Sequence, residues 1–137
     1  MRTSVKLNVS AHYFFKRMID SRIYDIYEAT GNLLAEDALP GIRYESENEY
    51  GQSCRVSITS LLKDHSYRYL VETNDEVIST DYELKQLSAD QVEVDFSQKV
   101  HAKHLLHGLK NKTASILFDR LKANNFKRVL KGLEVGY

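Results

Sequence analysis

Two patterns of apolar and polar positions divide this 137-residue chain. Between residues 41 and 101, apolar and polar side chains alternate in five runs separated by short polar loops, which predicts antiparallel strands joined by tight turns. From Ala102 to Val135, apolar residues recur every three or four positions without a proline, which predicts one long amphipathic helix. The apolar stripe of that helix is Leu105, Leu109, Ile116, Leu117, Leu121, Val129, Leu130 and Leu133.

The N-terminal segment combines both patterns. Thr3–Val9 alternates apolar and polar residues and predicts a strand with one buried face. Ser10 is a favourable N-cap, and a helix is predicted from Ala11 to about Thr30, where Gly31 is a natural C-cap. The apolar stripe of this helix is Phe15, Ile19, Ile23 and Ile26.

Polar residues within this helix leave two points to settle. Asp20 and Ser21 allow a second interpretation, in which a pair of helices replaces a single one. Arg22 flanks the apolar stripe one turn before Asp25, which predicts a local ion pair. A short helical turn is predicted over Leu33–Leu39, before the only proline of the chain.

The order of these elements predicts the fold class. After the first strand and the helix or helix pair come five antiparallel strands and the long C-terminal helix, an α+β arrangement in a single domain over residues 1–137. A curved antiparallel sheet of about six strands wrapped around the last helix buries the apolar stripe of that helix most simply. The five later strands are predicted at Gly41–Asn48, Gln52–Leu62, Ser66–Thr73, Glu76–Leu87 and Gln91–His101.

Composition excludes several classes of protein. The hydrophobic fraction is 42% and the charged fraction 28%, as in ordinary globular domains. A single cysteine, Cys54, excludes an internal disulfide framework and favours a reducing compartment. The N-terminus alternates instead of forming a signal peptide, and no apolar run is long enough to span a membrane. A cytoplasmic protein is therefore expected.

Charge is unevenly distributed although the total is zero. Residues 28–98 carry five basic and fifteen acidic groups, whereas residues 99–137 carry nine basic and two acidic groups. One interpretation is an acidic sheet exterior that attracts a basic helix exterior within the fold. The other is a basic helix face that binds an anionic partner, with Lys122, Lys127, Arg128 and Lys131 nearest to such a patch. We favour the first, because a neutral chain exerts no long-range attraction, and expect no nucleic-acid partner.

Polar residues recur at strand positions that alternation places on the concave side of the sheet. A core built only for packing would use Phe and Val there, and buried hydroxyls and amides need hydrogen-bond partners. The functional interpretation is a ligand cavity with an apolar body and a few orienting polar groups. The other interpretation is that these side chains lie at the sheet rim with their hydroxyls in water. The candidate cavity residues are Tyr44, Ser46, Tyr67, Tyr69, Thr80, Tyr82 and Gln98.

Catalytic and metal-binding motifs are weak. His101, His104 and His107 are spaced by three, which does not converge imidazoles on one ion, so no metal site is predicted. Cys54 falls at an inward position among aliphatic residues, where a thiol is usually inert. The sequence contains neither a Gly-x-Ser-x-Gly elbow nor a glycine-rich phosphate loop. We predict no catalytic residues and no cofactor.

Several short motifs, in their order along the chain, resemble a known family. They are Tyr13-Phe14-Phe15, the run 21–26, Thr30-Gly31, Leu39-Pro40-Gly41 with Tyr44, and the tail from Phe126 to Tyr137. Together they are similar to a bacterial family of unassigned function with a START-like (SRPBCC) fold. The resemblance implies the helix-grip architecture, in which a curved sheet grips the last helix and many members hold a hydrophobic ligand between the two. It implies no activity.

The leading functional hypothesis is a non-enzymatic protein that binds a small hydrophobic or amphipathic molecule between the sheet and the C-terminal helix. The first alternative is a protein-interaction or regulatory module without a ligand. The second is a cavity enzyme, which no group of residues supports. Oligomeric state and ligand identity do not follow from the sequence.

Overall fold

A computed structural model describes residues 1–48, 50–103 and 126–137. Its first elements are strand β1 (Arg2–Leu7) and helix α1 (Ala11–Thr30), followed by a 3-10 turn at Glu36–Ala38. Residues 126–132 are helical and continue into a 3-10 turn at Leu133–Gly136; we call residues 126–136 the C-terminal helix. The remaining strands are β2 (Arg43–Glu47), β3 (Ser53–Leu62), β4 (Ser66–Glu72), β5 (Glu76–Ser88) and β6 (Gln91–Ala102).

The six strands form one antiparallel sheet in the order β1-β6-β5-β4-β3-β2. The five later strands therefore pair in sequence as a meander, and the first strand, β1, pairs with the last, β6. Strands β1 and β2 are the two edges of the sheet. Register places inward residues in rows across the strands, such as Tyr67–Tyr82–Phe96 and Val71–Ile78–Val100. The predicted α+β fold with about six strands is confirmed.

Helix α1 is continuous, so Asp20 and Ser21 do not divide it. The Ser10 side chain accepts a hydrogen bond from the Tyr13 backbone nitrogen at 3.0 Å, as an N-cap does. Gly31 ends the helix in the left-handed region, at a φ of 78° that glycine adopts without strain. The apolar side of α1 packs on the sheet through four buried residues, Phe14, Phe15, Ile19 and Ile26.

The C-terminal helix also contributes to the core. Leu130 is buried, and Phe126 and Leu133 pack against the core from its edge. Val129 was expected on the same stripe but is 68% exposed, because the helical phase that buries Leu130 turns the preceding residue to solvent. The predicted stripe positions between 105 and 121 lie outside the described residues.

The predicted start of this helix at Ala102 is wrong. Ala102 is the last residue of β6 and pairs with Glu76 of β5. The adjoining Lys103 nitrogen donates to the Asp75 carbonyl oxygen at 2.8 Å, which extends the backbone pairing beyond the strand. Within the described residues, no helix has the length and apolar character needed to cross a membrane.

Candidate functional site

Arg22 connects α1 with the inner face of the sheet. Its Nε donates to the Tyr67 hydroxyl of β4 at 2.7 Å, and its Nη1 donates to the Tyr44 hydroxyl of β2 at 2.7 Å. The side chain is only 16% exposed. A charged guanidinium in such a place requires hydrogen-bond partners, and two phenols from two different strands provide them.

Asp25 completes the polar part of this group. It lies one turn after Arg22 on α1, with 3.5 Å between its Oδ2 and Nη1 of Arg22, so the predicted local ion pair is present. The Tyr44 hydroxyl, which accepts from Arg22, donates in turn to the Asp25 carboxylate. Asp25 is 42% exposed and lies nearer to solvent than the arginine. The pair therefore balances a largely buried cation with a carboxylate at the rim.

Aromatic rings continue from the arginine along the inner face. The guanidinium carbon of Arg22 lies 4.5 Å from the centre of the Tyr69 ring, within cation–π distance. The Tyr69 ring centre is 5.0 Å from that of Tyr67, and the Tyr67 ring is stacked on Tyr82 at 6.1 Å. We call Arg22, Asp25, Tyr44, Tyr67 and Tyr69 the arginine–tyrosine cluster.

At its far end the row of rings meets the C-terminal helix. Tyr82 contacts Phe96 edge-on at 5.0 Å between ring centres, and Phe126 stacks on Phe96 at 3.9 Å. Phe126 also lies 6.0 Å from Tyr82. A polar group at one end and an aromatic wall at the other therefore share the inner face of the sheet.

Burial keeps three phenols of the inner face protonated. It raises the pKa of Tyr67 to about 12, and it raises the pKa of Tyr44 and of Tyr82 further still. Burial alone would lower the pKa of Arg22, but the nearby oxygens of Tyr67 and Tyr44 outweigh it and the pKa is raised. Near neutral pH, Arg22 is thus charged, and the phenols of Tyr44, Tyr67 and Tyr82 are neutral.

Two hydrogen-bond donors of the cluster have no acceptor among the described residues. The Tyr67 oxygen accepts from Arg22, so its own proton is left to donate. Arg22 uses Nε and Nη1, which leaves its Nη2 amino group. Chemically, the cluster can donate to an oxygen placed beside it.

The other predicted cavity residues occupy two different places. Thr80 and Gln98 form the row beside Tyr82 and Phe96 on the inner face. Thr80 is buried, and Gln98 Nε2 lies 3.4 Å from Thr80 Oγ1. Ser46 lines an open groove between α1 and edge strand β2, together with Asp25 and Glu28. The structure therefore brings the four tyrosines together and leaves Ser46 at the margin.

Sequence reasoning missed the central residue of the cluster. Arg22 was given only its ion pair with Asp25, and its contacts with Tyr67 and Tyr44 were not anticipated. A signal was present, because an arginine flanking an apolar stripe needs a buried acceptor. Two of the four tyrosines predicted on the opposing face, Tyr44 and Tyr67, supply such acceptors.

Among the described residues, the remaining chemical candidates give no second site. His101 is exposed on β6, and His104 and His107 lie outside the described residues. The part of the chain that the structure describes contains no cluster of three residues suited to a metal ion. Cys54 is buried as predicted, and burial raises the pKa of its thiol, which favours the protonated form.

A curved six-stranded antiparallel sheet, with a helix after the first strand and a C-terminal helix, defines the START-like helix-grip class. A START superfamily protein from Mycobacterium smegmatis superposes with a TM-score of 0.59 at 13% identity, covering 97% of each chain. Ara h 8.0201 superposes with a TM-score of 0.61 at 12% identity, covering 100% of this chain and 97% of that one. These identities are low, so the likeness shows the fold alone.

Norcoclaurine synthase from Thalictrum flavum, in complex with dopamine and hydroxybenzaldehyde, has the same fold. It superposes with a TM-score of 0.64 at 10% identity, covering 100% of this chain and 86% of that one. No curated protein matches the sequence. Residues 1–119 match the family model described as Domain of unknown function (DUF3284), and the chain belongs to that family. The resemblance to a START-like family of unassigned function is thereby confirmed.

Proposed function

We propose that this protein binds a small hydrophobic or amphipathic molecule between the inner face of the sheet and the C-terminal helix. The observation that carries the proposal is the incomplete burial of one end of that face. Val71 and Ile78 are only partly buried, and Val100 in the same row is 51% exposed. Apolar side chains at inward positions are normally covered, and a ligand would cover these.

The character of the neighbouring side chains supports the same proposal. Tyr69, Thr80 and Gln98 place polar atoms in the row beside the half-exposed valines and isoleucine. Ligand sites commonly combine an apolar lining with a few such groups. The norcoclaurine synthase structure contains two small aromatic molecules, dopamine and hydroxybenzaldehyde, in a protein of this fold.

Binding fits the chemistry better than catalysis. Arg22 is charged, and the phenols of Tyr44, Tyr67 and Tyr82 stay neutral near pH 7 because burial raises the pKa of each. Such a group donates hydrogen bonds and stabilises charge. A nucleophile activated by an adjacent base is not found among the described residues of the cluster.

Native mass spectrometry of the protein purified from its own host tests the proposal. We expect a fraction of molecules to carry a copurified small molecule. Ile78→Trp fills the half-exposed row and should remove this adduct, whereas Val77→Trp, on the opposite face of the same strand, should keep it. A bare chain in every preparation would contradict the proposal, as would equal adduct levels in the two variants.

A protein-interaction module is the second candidate, and one surface favours it. The outer side of the C-terminal helix exposes Lys127, Arg128 and Lys131 around the exposed Val129. Reversing the three charges should abolish capture of an acidic protein partner in a pull-down while leaving the copurified adduct in place. Loss of the adduct with no change in capture would oppose this candidate.

A cytoplasmic location is also proposed. The one cysteine of the sequence is a free, buried thiol, as a reducing compartment permits. Fractionation of host cells should recover the protein with cytoplasmic markers, and recovery with envelope or secreted fractions would contradict the proposal.

A further inference from the structure

We propose that the ligand carries an acidic head, a carboxylate in the simplest case, which Arg22 and Tyr67 bind while an apolar body extends past Tyr69 over the half-exposed row of Val71, Ile78 and Val100. This inference rests on the ligand-binding function proposed above and names the chemical class of the ligand.

The donors of the cluster support the acidic head. Arg22 Nη2 and the Tyr67 hydroxyl have no acceptor among the described residues, and Nε of Arg22 is only 2.7 Å from the Tyr67 oxygen. Both donors therefore belong to one small region. A carboxylate has two oxygens that accept from such neighbouring donors, and hydrogen bonds between a guanidinium and a carboxylate are stronger than neutral ones.

The charge balance of the cluster also favours an anion on the inner side. Asp25 pairs with Arg22 at 3.5 Å but is 42% exposed, so solvent screens its charge more than that of the arginine, which is 16% exposed. The Asp25 carboxylate keeps Arg22 paired when no ligand is bound. Toward the sheet, the hydrogen-bond partners of Arg22 are the neutral phenols of Tyr67 and Tyr44, which do not cancel its positive charge.

The half-exposed row defines the rest of the ligand. Tyr69, which lies under the guanidinium, is followed two residues along β4 by Val71, which pairs with Ile78, and Ile78 pairs with the half-exposed Val100. An apolar body that extends from the head over this row would cover these side chains. A cationic head would meet the guanidinium unfavourably, and a head that only donates hydrogen bonds would find donors opposite it.

Three probes with one body and different heads test the inference. Naphthoate, naphthylmethanol and naphthylmethylamine share the same ring system and carry an anionic, a neutral and a cationic head. We expect isothermal titration calorimetry at neutral pH to show naphthoate binding to the wild type at least about tenfold more tightly than the alcohol, with the amine weakest.

Variants separate recognition of the head from support of the fold. Arg22→Met should remove the preference for naphthoate while naphthylmethanol still binds, and Arg22→Lys should restore part of the preference. If Arg22→Met does not fold, Tyr67→Phe keeps the ring, removes the hydroxyl and should narrow the naphthoate preference several-fold. Arg17→Met is the matched control, because it removes an exposed positive charge from the same helix and should leave the preference unchanged.

The outcomes distinguish the two proposals. Equal affinity for the three probes, or an unchanged preference in both Arg22→Met and Tyr67→Phe, overturns the acidic head and leaves ligand binding standing. If Arg17→Met loses as much of the preference for naphthoate as Arg22→Met does, the acidic head is also overturned. The preference would then depend on the net charge of the protein and not on the position of Arg22. Failure of all three probes to bind overturns ligand binding and the acidic head together.

Discussion

The two ends of the inner face obey the same alternation but differ in burial. At one end, which we call the closed half, Val5, Val94 and Leu84 form a cross-strand row of buried side chains in the same core cluster as Phe14 and Phe15 of α1. At the other, the open half, the row of Val71, Ile78 and Val100 is only partly covered. Strands β5 and β6 run through both halves.

The comparison shows where stability and recognition are separated in this fold. The closed half contains aliphatic residues packed against α1, whose burial is the main source of folding free energy. The open half combines half-exposed aliphatic residues with the polar side chains of Tyr69, Thr80 and Gln98. The half-exposed aliphatic residues contribute less to stability than buried ones, but they offer contacts to a ligand. The arginine–tyrosine cluster lies beside the open half and joins it to α1.

Truncating one residue in each half of β5 should give the largest contrast. Leu84→Ala in the closed half should lower the free energy of unfolding by about 2–4 kcal/mol, because it removes a buried side chain and leaves a cavity. Ile78→Ala in the open half should cost about 1 kcal/mol or less. Chemical denaturation monitored by circular dichroism measures both. Equal losses would remove the distinction between the halves.

Removing the guanidinium should test the connection between α1 and the open half. Arg22→Met should lower the free energy of unfolding by about 1–3 kcal/mol, because Tyr44 and Tyr67 lose a hydrogen-bond partner and Asp25 loses its ion-pair partner in a partly buried place. Arg17→Met on the same helix should cost less than about 0.5 kcal/mol. Denaturant titrations of the two variants check this, and a cost for Arg22→Met no larger than the control would mean that the cluster does not hold α1.

Alkaline pH should weaken the protein through the same cluster. Burial raises the pKa of Tyr67 from 10.0 to about 12, so above pH 10 the unfolded chain releases a proton that the folded chain keeps. Stability from this group is therefore complete below pH 10 and is lost as pH rises toward 12, by about 1.4 kcal/mol per pH unit. Stability curves over this range should fall less steeply in Tyr67→Phe. An unchanged slope would contradict the buried state of this phenol.

A weaker contact holds the C-terminal helix to the start of α1. The Tyr13 hydroxyl donates to the Leu133 carbonyl oxygen at 3.3 Å, and the Tyr13 ring lies 5.0 Å from that of Tyr137. Tyr13→Phe should cost about 0.5–1 kcal/mol, since only one long hydrogen bond is lost while the ring contact stays. Thermal melting with Tyr27→Phe as the exposed control measures this small effect. A loss of stability above about 2 kcal/mol would contradict the interpretation that Tyr13→Phe removes only one long hydrogen bond.

The sequence predicted the elements well because their signals are local. Strand alternation, the Ser10 cap and the Gly31 terminator each depend on neighbouring residues, and the observed bounds of β2 to β6 differ from the predicted ones by at most a few residues. The predicted start of the C-terminal helix at Ala102 is wrong, because Ala102 pairs with Glu76 of another strand and so belongs to β6. Local pattern does not contain that information.

The sequence did not predict which inward positions are covered. Val94 and Val100 are the same residue type at equivalent positions of β6, yet one is buried and the other is 51% exposed. The difference depends on what packs above them, which alternation does not report. In the same way, the contacts of Arg22 with Tyr44 and Tyr67 join residues 22 and 45 positions apart and arise only once the sheet has formed.

Methyl-resolved NMR during a titration with naphthoate tests the central claim most directly. We predict saturable shift changes for the methyl groups of Val71, Ile78 and Val100 in the open half, with little change at Val5 and Val94 in the closed half. Perturbation confined to outward residues such as Val77 and Val135, or no saturable change at any methyl group, would contradict the account.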